Sequence, residues 1–289
     1  MSKPFPTVGI IGAGNLSRMA VAPANELGIR VLLLGAEQKD LPSIRDFALQ
    51  CDVISYESQS VALSIIKTLE AEGVVVRPST GVFENLAVGI NREYECEISV
   101  MVARSPHGQT TSWAPTQVIK RNTHVITITP APSISADLSE RAQKLALEIA
   151  SQTGVVGVMT VEIFVSGQEL LIKQLIVGLD ASANWSIDGS VTNQFEQHIR
   201  AIVDLPLGDP SITAPFVVTG NIMAGEKLDM YRPYLHLMAR NPGLKFHQYN
   251  NEVFVGQQVG HVALAGKDAE HLIHEIEHAL DYFSGMIDE

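Results

Sequence analysis

Cysteine is scarce: Cys51 and Cys96 are the only two in 289 residues, too few for a disulfide framework, and they read as buried free thiols of a reducing compartment. Cationic residues are scarce as well. Twenty Lys and Arg against 32 Asp and Glu give a formal charge of -12, and no basic block occurs anywhere. Such a chain repels polyanions, which argues against nucleic acid or an anionic membrane as a partner. No window approaches the ~18 consecutive apolar residues of a membrane span. The run Val8-Gly9-Ile10-Ile11 is too short, and too soon broken by glycine, for a secretory leader. Internal repeats and low-complexity segments are missing too. The expectation is a soluble, cytoplasmic protein. What the sequence does hold is 46% apolar residues with only 18% charged, enough for a sizeable core and incompatible with intrinsic disorder. At roughly 100 to 200 residues per domain, the length suggests two domains or three small ones.

Through the first third, short apolar runs alternate with amphipathic stretches, the pattern of β-α-β units around a parallel sheet. Val8 to Ile11 reads as a buried strand, Gly12-Ala13-Gly14 as a turn into a helix from Leu16 to Leu27, and Val31 to Leu34 as the returning strand. Val53 to Ser55 and Val74 to Val76 follow as strands around a helix over Val61 to Glu70. The pattern breaks after Pro78, which places a domain boundary near Ala87. Beyond it come strands at Ile98 to Ala103, Trp113 to Ile119 and His124 to Ile128, then a rigid linker from Pro130 to Ser135. Ala142, Leu145, Ala146, Ile149 and Ala150 repeat at helical spacing. Val155 to Val165 and Leu170 to Ile176 form a hairpin around Ser166-Gly167-Gln168, and Thr192 to Val203 is helical. After a second linker at Leu205 to Pro210, strands at Val217 to Met223, Lys245 to Tyr249 and Gln258 to Leu264 and a helix at Ala269 to Tyr282 make a small C-terminal unit.

Gly12-Ala13-Gly14-Asn15-Leu16-Ser17 sits where a dinucleotide fingerprint would, after a strand and opening a helix, and the free amides of such a turn can hold a phosphate. The third glycine is missing; Glu37 lies near where a ribose-binding acid would be, and Arg18 is the nearest cation. The alternative is a pair of turn glycines needed only for geometry. His271, His274 and His278 share one helical face, a spacing that can chelate zinc, but Glu270, Glu275, Glu277 and Asp281 on the same helix favour a solvated polar face. Ser182, Asp188 and His198 are the residue types of a hydrolase triad without the surrounding Gly-x-Ser-x-Gly elbow. Glu162 stands mid-strand between apolar neighbours, where a carboxylate needs a partner or a metal, and Lys173-Gln174 on the opposite strand offers an ammonium and an amide. A Lys173 to Glu162 ion pair is the favoured reading over a metal site.

Longer runs carry a resemblance. Ser105-Pro106-His107-Gly108-Gln109, Pro130-Ala131-Pro132, the segment from Gly154 to Phe164, Thr192 to Ala201, Leu205 to Asp209 and Val259-Gly260-His261 together resemble the carboxyaminoimidazole ribonucleotide synthetases, ATP-grasp enzymes of purine biosynthesis. The opening Gly12 to Met19 is similar to their N-terminal signature, with Asn15 in place of a usual glutamine. The resemblance implies an α/β protein with a Rossmann-like parallel-sheet domain over 1–86, an ATP-grasp central domain over 87–205 and a small C-terminal α+β domain over 206–289. It also implies a homodimer, a purine-pathway small molecule as ligand, and ATP with magnesium as cofactors if the chain is active. Ligand-binding positions carried over are Gly12, Gly14, Asn15, Leu16, Arg18, Glu57 and His261; Glu162 is the metal carboxylate, and Trp185 and Asp188 are catalytic remnants.

Three departures from that pattern each remove chemistry. Only about fifteen residues, Thr80 to Tyr94, stand where the family places a mobile lid, and no lysine occurs between Lys67 and Lys120. Where the family has an asparagine-glutamate pair, Lys173-Gln174 exchanges a negative charge for a positive one. Gln257-Gln258 stands where an arginine-lysine pair holds the ribonucleotide phosphate, and neutral amides cannot replace charge-assisted contacts to a dianion. The expectation is a lid-less scaffold without ATP-dependent carboxylation and without bound cofactor, serving binding or assembly. The alternative is a working carboxylating or related acyl-phosphate ligase in which Asp180 or Asp188 rebuilds the site.

Overall fold

A computed structural model describes residues 5–35, 40–57, 61–85, 94–121, 124–224, 231–249 and 255–287. The N-terminal unit is a parallel sheet of β1 (Thr7–Ile11), β2 (Arg30–Leu34) and β3 (Val53–Tyr56) in the order β2-β1-β3. Four helices accompany it: α1 (Asn15–Met19), α2 (Val21–Glu26), α3 (Leu41–Ala48) and α4 (Leu63–Ala71). The single helix expected from Leu16 to Leu27 is two short ones meeting at Ala20. Pro23 is the reason, since it has no N–H and its ring crowds the carbonyl of Met19 four residues back. The expected strand at Val74 to Val76 contracts to one parallel bridge between Ile54 and Val76. Helix α3 was not foreseen, although Asp40 caps it by accepting from the Ser43 N–H at 2.9 Å.

A second sheet holds everything else together. Its strands are β4 (Cys96–Arg104), β5 (Thr110–Ser112), β6 (Thr116–Arg121), β7 (His124–Thr129), β8 (Gly157–Ser166) and β9 (Glu169–Val177), continued by β10 (Phe216–Met223), β11 (Lys245–Gln248) and β12 (Gln258–Gly266). The order is β11-β12-β10-β7-β6-β4-β8-β9 with β5 beside β4, and the pairs are antiparallel. Residues after 206 therefore continue the central sheet, because β10 pairs directly with β7. The expected strand over Trp113 to Ile119 starts only at Thr116; Trp113 lies before it, its indole N–H directed to Ser190 Oγ at 3.0 Å.

Helix α5 (Ala136–Thr153) covers one face of this sheet, setting Ala142, Ala146 and Ala150 against Ile98, Val100, Val161 and Ile163. Helix α9 (Ala269–Ser284) covers the β10 and β12 end through Leu272, Ile276 and Leu280. Two helices precede β10: α6 (Ser186–Gly189) and α7 (Gln194–Ile202); α8 (Tyr231–Arg240), not foreseen, follows it. Helix α7 ties the two sheets, since its Phe195, Ile199 and Ile202 pack among Val8, Ile10, Ala24 and Ile29 of the N-terminal unit. That packing brings the C-terminal ends of β1 and β3, where open parallel sheets bind ligands, against the last residues of β9. No helix among the described residues is long and apolar enough to cross a membrane. The expected boundary at Ala87 and the acid Glu37 lie outside the described residues.

Candidate functional site

The two sheets enclose a cavity of about 480 Å³. Its N-terminal wall is the turn after β1 (Asn15, Leu16, Ser17) and the end of β3 (Ser55, Tyr56, Glu57); the opposite wall is β9 from Gln174 to Val177 with Asp180, Tyr249 and Gln258. Gly12 has φ of 113°, a backbone state that a side chain would strain, so the turn requires glycine there. The Ser17 amide at the end of the turn is occupied. Glu57 accepts from the Ser17 N–H at 3.1 Å and the Ser17 hydroxyl at 2.6 Å, so a protein carboxylate sits where the fingerprint reading put a phosphate. Gly14 makes room for it, since a Cβ at that position would stand 2.5 Å from a Glu57 oxygen. Arg18, expected as the partner cation, is exposed.

Glu162 and the residues around it form a separate polar cluster on the sheet face away from α5. β8 and β9 pair Glu162 with Gln174 and then Ile163 with Ile172, which leaves Lys173 as the extra residue of a bulge. A bulge turns such a side chain onto its neighbour's face. The Lys173 ammonium consequently stands 3.0 Å from Glu162 and 2.6 Å from Glu97, with Lys120 a further 3.4 Å from Glu97. Glu97 lies diagonally from Glu162 because it is opposite Phe164 in the β4 and β8 register. The cluster is poorly hydrated: the side chains of Glu97, Glu162 and Lys173 are 7%, 14% and 26% exposed. Burial alone would push the Lys173 ammonium down, but hydrogen bonds and charge from Glu97 and Glu162 together outweigh it and hold the group above its ordinary value. The Lys173 to Glu162 pair expected from sequence is present, and Glu97, which the sequence reading missed, is its third member. The signal was there: like Glu162, Glu97 is a lone acid inside an apolar strand.

This constellation does not fit a magnesium ion. The two carboxylates that could ligate one already share an ammonium lodged between them, and Gln174 contributes no charge. No group of three or more His, Cys, Asp or Glu among the described residues could hold a metal, which also disposes of zinc at His271, His274 and His278.

Behind the cavity runs a buried polar chain. Gln194 clamps the backbone of Asp180, accepting its N–H at 3.0 Å and donating to its carbonyl at 2.8 Å, and donates at 2.9 Å to Asn184. Asn184 donates to the Tyr249 hydroxyl at 3.1 Å, which meets His261 Nδ1 at 2.9 Å. Burial, helped by the charge of His247, pushes His261 down to about 3, so its ring is neutral. His261 is therefore behind the wall as a support for Tyr249; it is fully buried and does not line the cavity.

The triad of Ser182, Asp188 and His198 is not assembled. Ser182 donates to Asp180, Asp188 lies 2.7 Å from His247, and His198 stands between Ser55 Oγ at 2.9 Å and the Val158 N–H at 3.3 Å. Since His198 Nδ1 accepts from Val158, the proton is on Nε2 and points at Ser55, the wrong tautomer for a base; burial pushes the ring down to about 4. Trp185 is likewise a core residue, 2% exposed beside Trp113 and Met101.

Residues 83–195 match the model of the ATP-grasp domain. N5-carboxyaminoimidazole ribonucleotide synthase of Mycobacterium bovis is 29% identical over 377 residues, covering 96% of this chain and 88% of that one. The Escherichia coli synthase is 32% identical over 205 residues, covering 69% and 55%. Because 96% of 289 residues is about 277, some 100 positions of the mycobacterial protein have no counterpart here, the size of a small domain. Among solved structures, the Aspergillus clavatus synthase in complex with ADP and 5-aminoimidazole ribonucleotide superposes with a TM-score of 0.86 at 19% identity, covering 98% of this chain and 100% of that one. The Thermus thermophilus enzyme gives 0.81 at 21%, covering 98% and 99%. With an ATP-grasp domain over its centre, the chain is a divergent relative of the N5-carboxyaminoimidazole ribonucleotide synthases over nearly its whole length.

Proposed function

We propose that this protein keeps the scaffold of an ATP-dependent carboxylating ligase without that reaction, and acts through ligand binding or assembly as a homodimer. The observation that carries the reading is the Lys173 ammonium, 3.0 Å from Glu162 and 2.6 Å from Glu97: an internal cation that travels with the fold and competes with any metal for the same carboxylates. Phosphoryl transfer from ATP depends on metal charge held against the phosphate oxygens, so loss of that charge weakens both nucleotide affinity and transition-state stabilisation. The missing ~100 positions and the absence of lysine between Lys67 and Lys120 support the same reading, since an open site also admits water to a labile acyl phosphate. Asp188, one of the two acids that could rebuild a metal site, is engaged with His247.

The test is turnover. Purified protein with ATP, magnesium, bicarbonate and 5-aminoimidazole ribonucleotide is expected to release ADP no faster than a protein-free control. Ribonucleotide-dependent ADP release would overturn the reading.

A further inference from the structure

One wall of the cavity is main chain. β9 is the terminal strand of its sheet, paired with β8 on one side and with no strand on the other among the described residues. Gly178 donates to the Val158 carbonyl at 2.9 Å, and Val177 lies opposite Met159 in the antiparallel register. Hydrogen bonding alternates along such a pair, so Gln174, Ile176 and Gly178 spend their N–H and C=O groups on β8 while Leu175 and Val177 turn theirs outward. Four consecutive residues, Gln174 to Val177, line the cavity although strand side chains alternate between faces, so the cavity runs along the free edge of the strand. Leu175 makes this plain: its side chain packs into the core beneath α5, which leaves its main chain to face the cavity. No backbone hydrogen bond from the described residues answers the outward groups of Leu175. The end of the strand is held still, since Gln194, 0% exposed, grips the N–H and the carbonyl of Asp180. Ile10, Leu16 and Phe83 supply an apolar flank, and the volume lies in the range of small-molecule sites.

We propose that this cavity binds a neutral aromatic lactam or primary carboxamide, whose carbonyl accepts from the Leu175 N–H and whose N–H donates to the Leu175 carbonyl. A donor and an acceptor side by side on one residue carry no net charge, and an amide edge is their complement. Leu175 is the residue for it because lining residues flank it on both sides, whereas Val177 stands at the end of the wall. The inference rests on the functional reading above and deepens it by giving the same site a ligand class.

A matched pair of rings tests it: isocarbostyril, a flat bicyclic lactam, and N-methylisocarbostyril, which keeps the shape and the carbonyl but has no N–H. Both are titrated to millimolar concentration against the full chain by ligand-observed NMR. Isocarbostyril is expected to bind about tenfold or more tightly than its N-methyl analogue, which would leave the Leu175 carbonyl unpaired. Leu175→Pro removes only an outward N–H, which an edge strand tolerates, and should abolish the difference between the two rings; Leu175→Ala should keep it. On isotope-labelled wild type the Leu175 amide proton should shift on adding isocarbostyril, and this carries the test should Leu175→Pro fail to fold. Equal binding of the two rings, no binding of either, a preference that survives in folded Leu175→Pro, or an unmoved Leu175 amide would overturn the inference. ADP release in the turnover assay would overturn the functional reading whichever ring binds, so the two failures are distinguishable.

Discussion

Replacing Lys173 by methionine removes the ammonium from between two carboxylates while keeping a side chain of similar length. In the wild type, ion pairs at 2.6 and 3.0 Å offset the cost of dehydrating Glu97 and Glu162. Removing one partner of a fully buried pair costs ~3–5 kcal/mol, because the charge left behind is uncompensated. Here the lysine side chain is 26% exposed and Lys120 stands 3.4 Å from Glu97, both of which soften the loss. We expect Lys173→Met to lower stability by about 2–4 kcal/mol at neutral pH. Lys120→Met removes a partner that is 62% exposed and should cost less than about 1 kcal/mol. The wild-type ammonium is held above its ordinary 10.5, so its contribution is present below that pH and lost only as pH rises past it. Urea midpoints of the three proteins read this directly. An unchanged or raised midpoint for Lys173→Met would refute the internal-cation argument.

Two buried histidines set the acid limit of stability. His198 and His261 are pushed down to about 4 and about 3 from an ordinary 6.5, so the unfolded chain takes up protons first and folding free energy falls as pH drops below 6.5. The loss should reach about 2 kcal/mol per histidine at pH 5, and His198→Gln should remove its share; a urea midpoint flat between pH 7.5 and 5 would contradict this. Light scattering at tens of micromolar protein is expected to give twice the 31.3 kDa chain mass with or without nucleotide, and a monomer would remove the proposed homodimer.

Elements whose identity depends on local pattern were legible in the sequence. The hairpin at Ser166-Gly167-Gln168, the alanine-rich face of α5 and the C-terminal helix all follow from period and turn chemistry. Helix α8 was not legible, because its apolar residues are divided between a buried Leu237 and the exposed Tyr231, Leu235 and Met238, which blurs the period. Continuity of β7 with β10 across the 86 residues between them was also hidden, since strand pairing at that separation leaves no local signal. At the site, Glu162 and Lys173 declared themselves as polar residues in apolar strands. The bulge that turns Lys173 toward both acids, and the Glu57 carboxylate seated on the Ser17 amide, depend on register and on contacts 40 residues apart. His198 has the residue type of a triad base, but the sequence lacks the elbow a triad needs, and the Val158 N–H fixes its tautomer and makes it structural.

The most direct measurement is a calorimetric titration of the wild-type protein with Mg-ATP. Losing two charge-assisted contacts at ~1.5–3 kcal/mol each weakens binding by roughly two to four decades, so no saturable heat is expected below millimolar nucleotide. A micromolar Kd for Mg-ATP would contradict the replacement of the metal charge by Lys173.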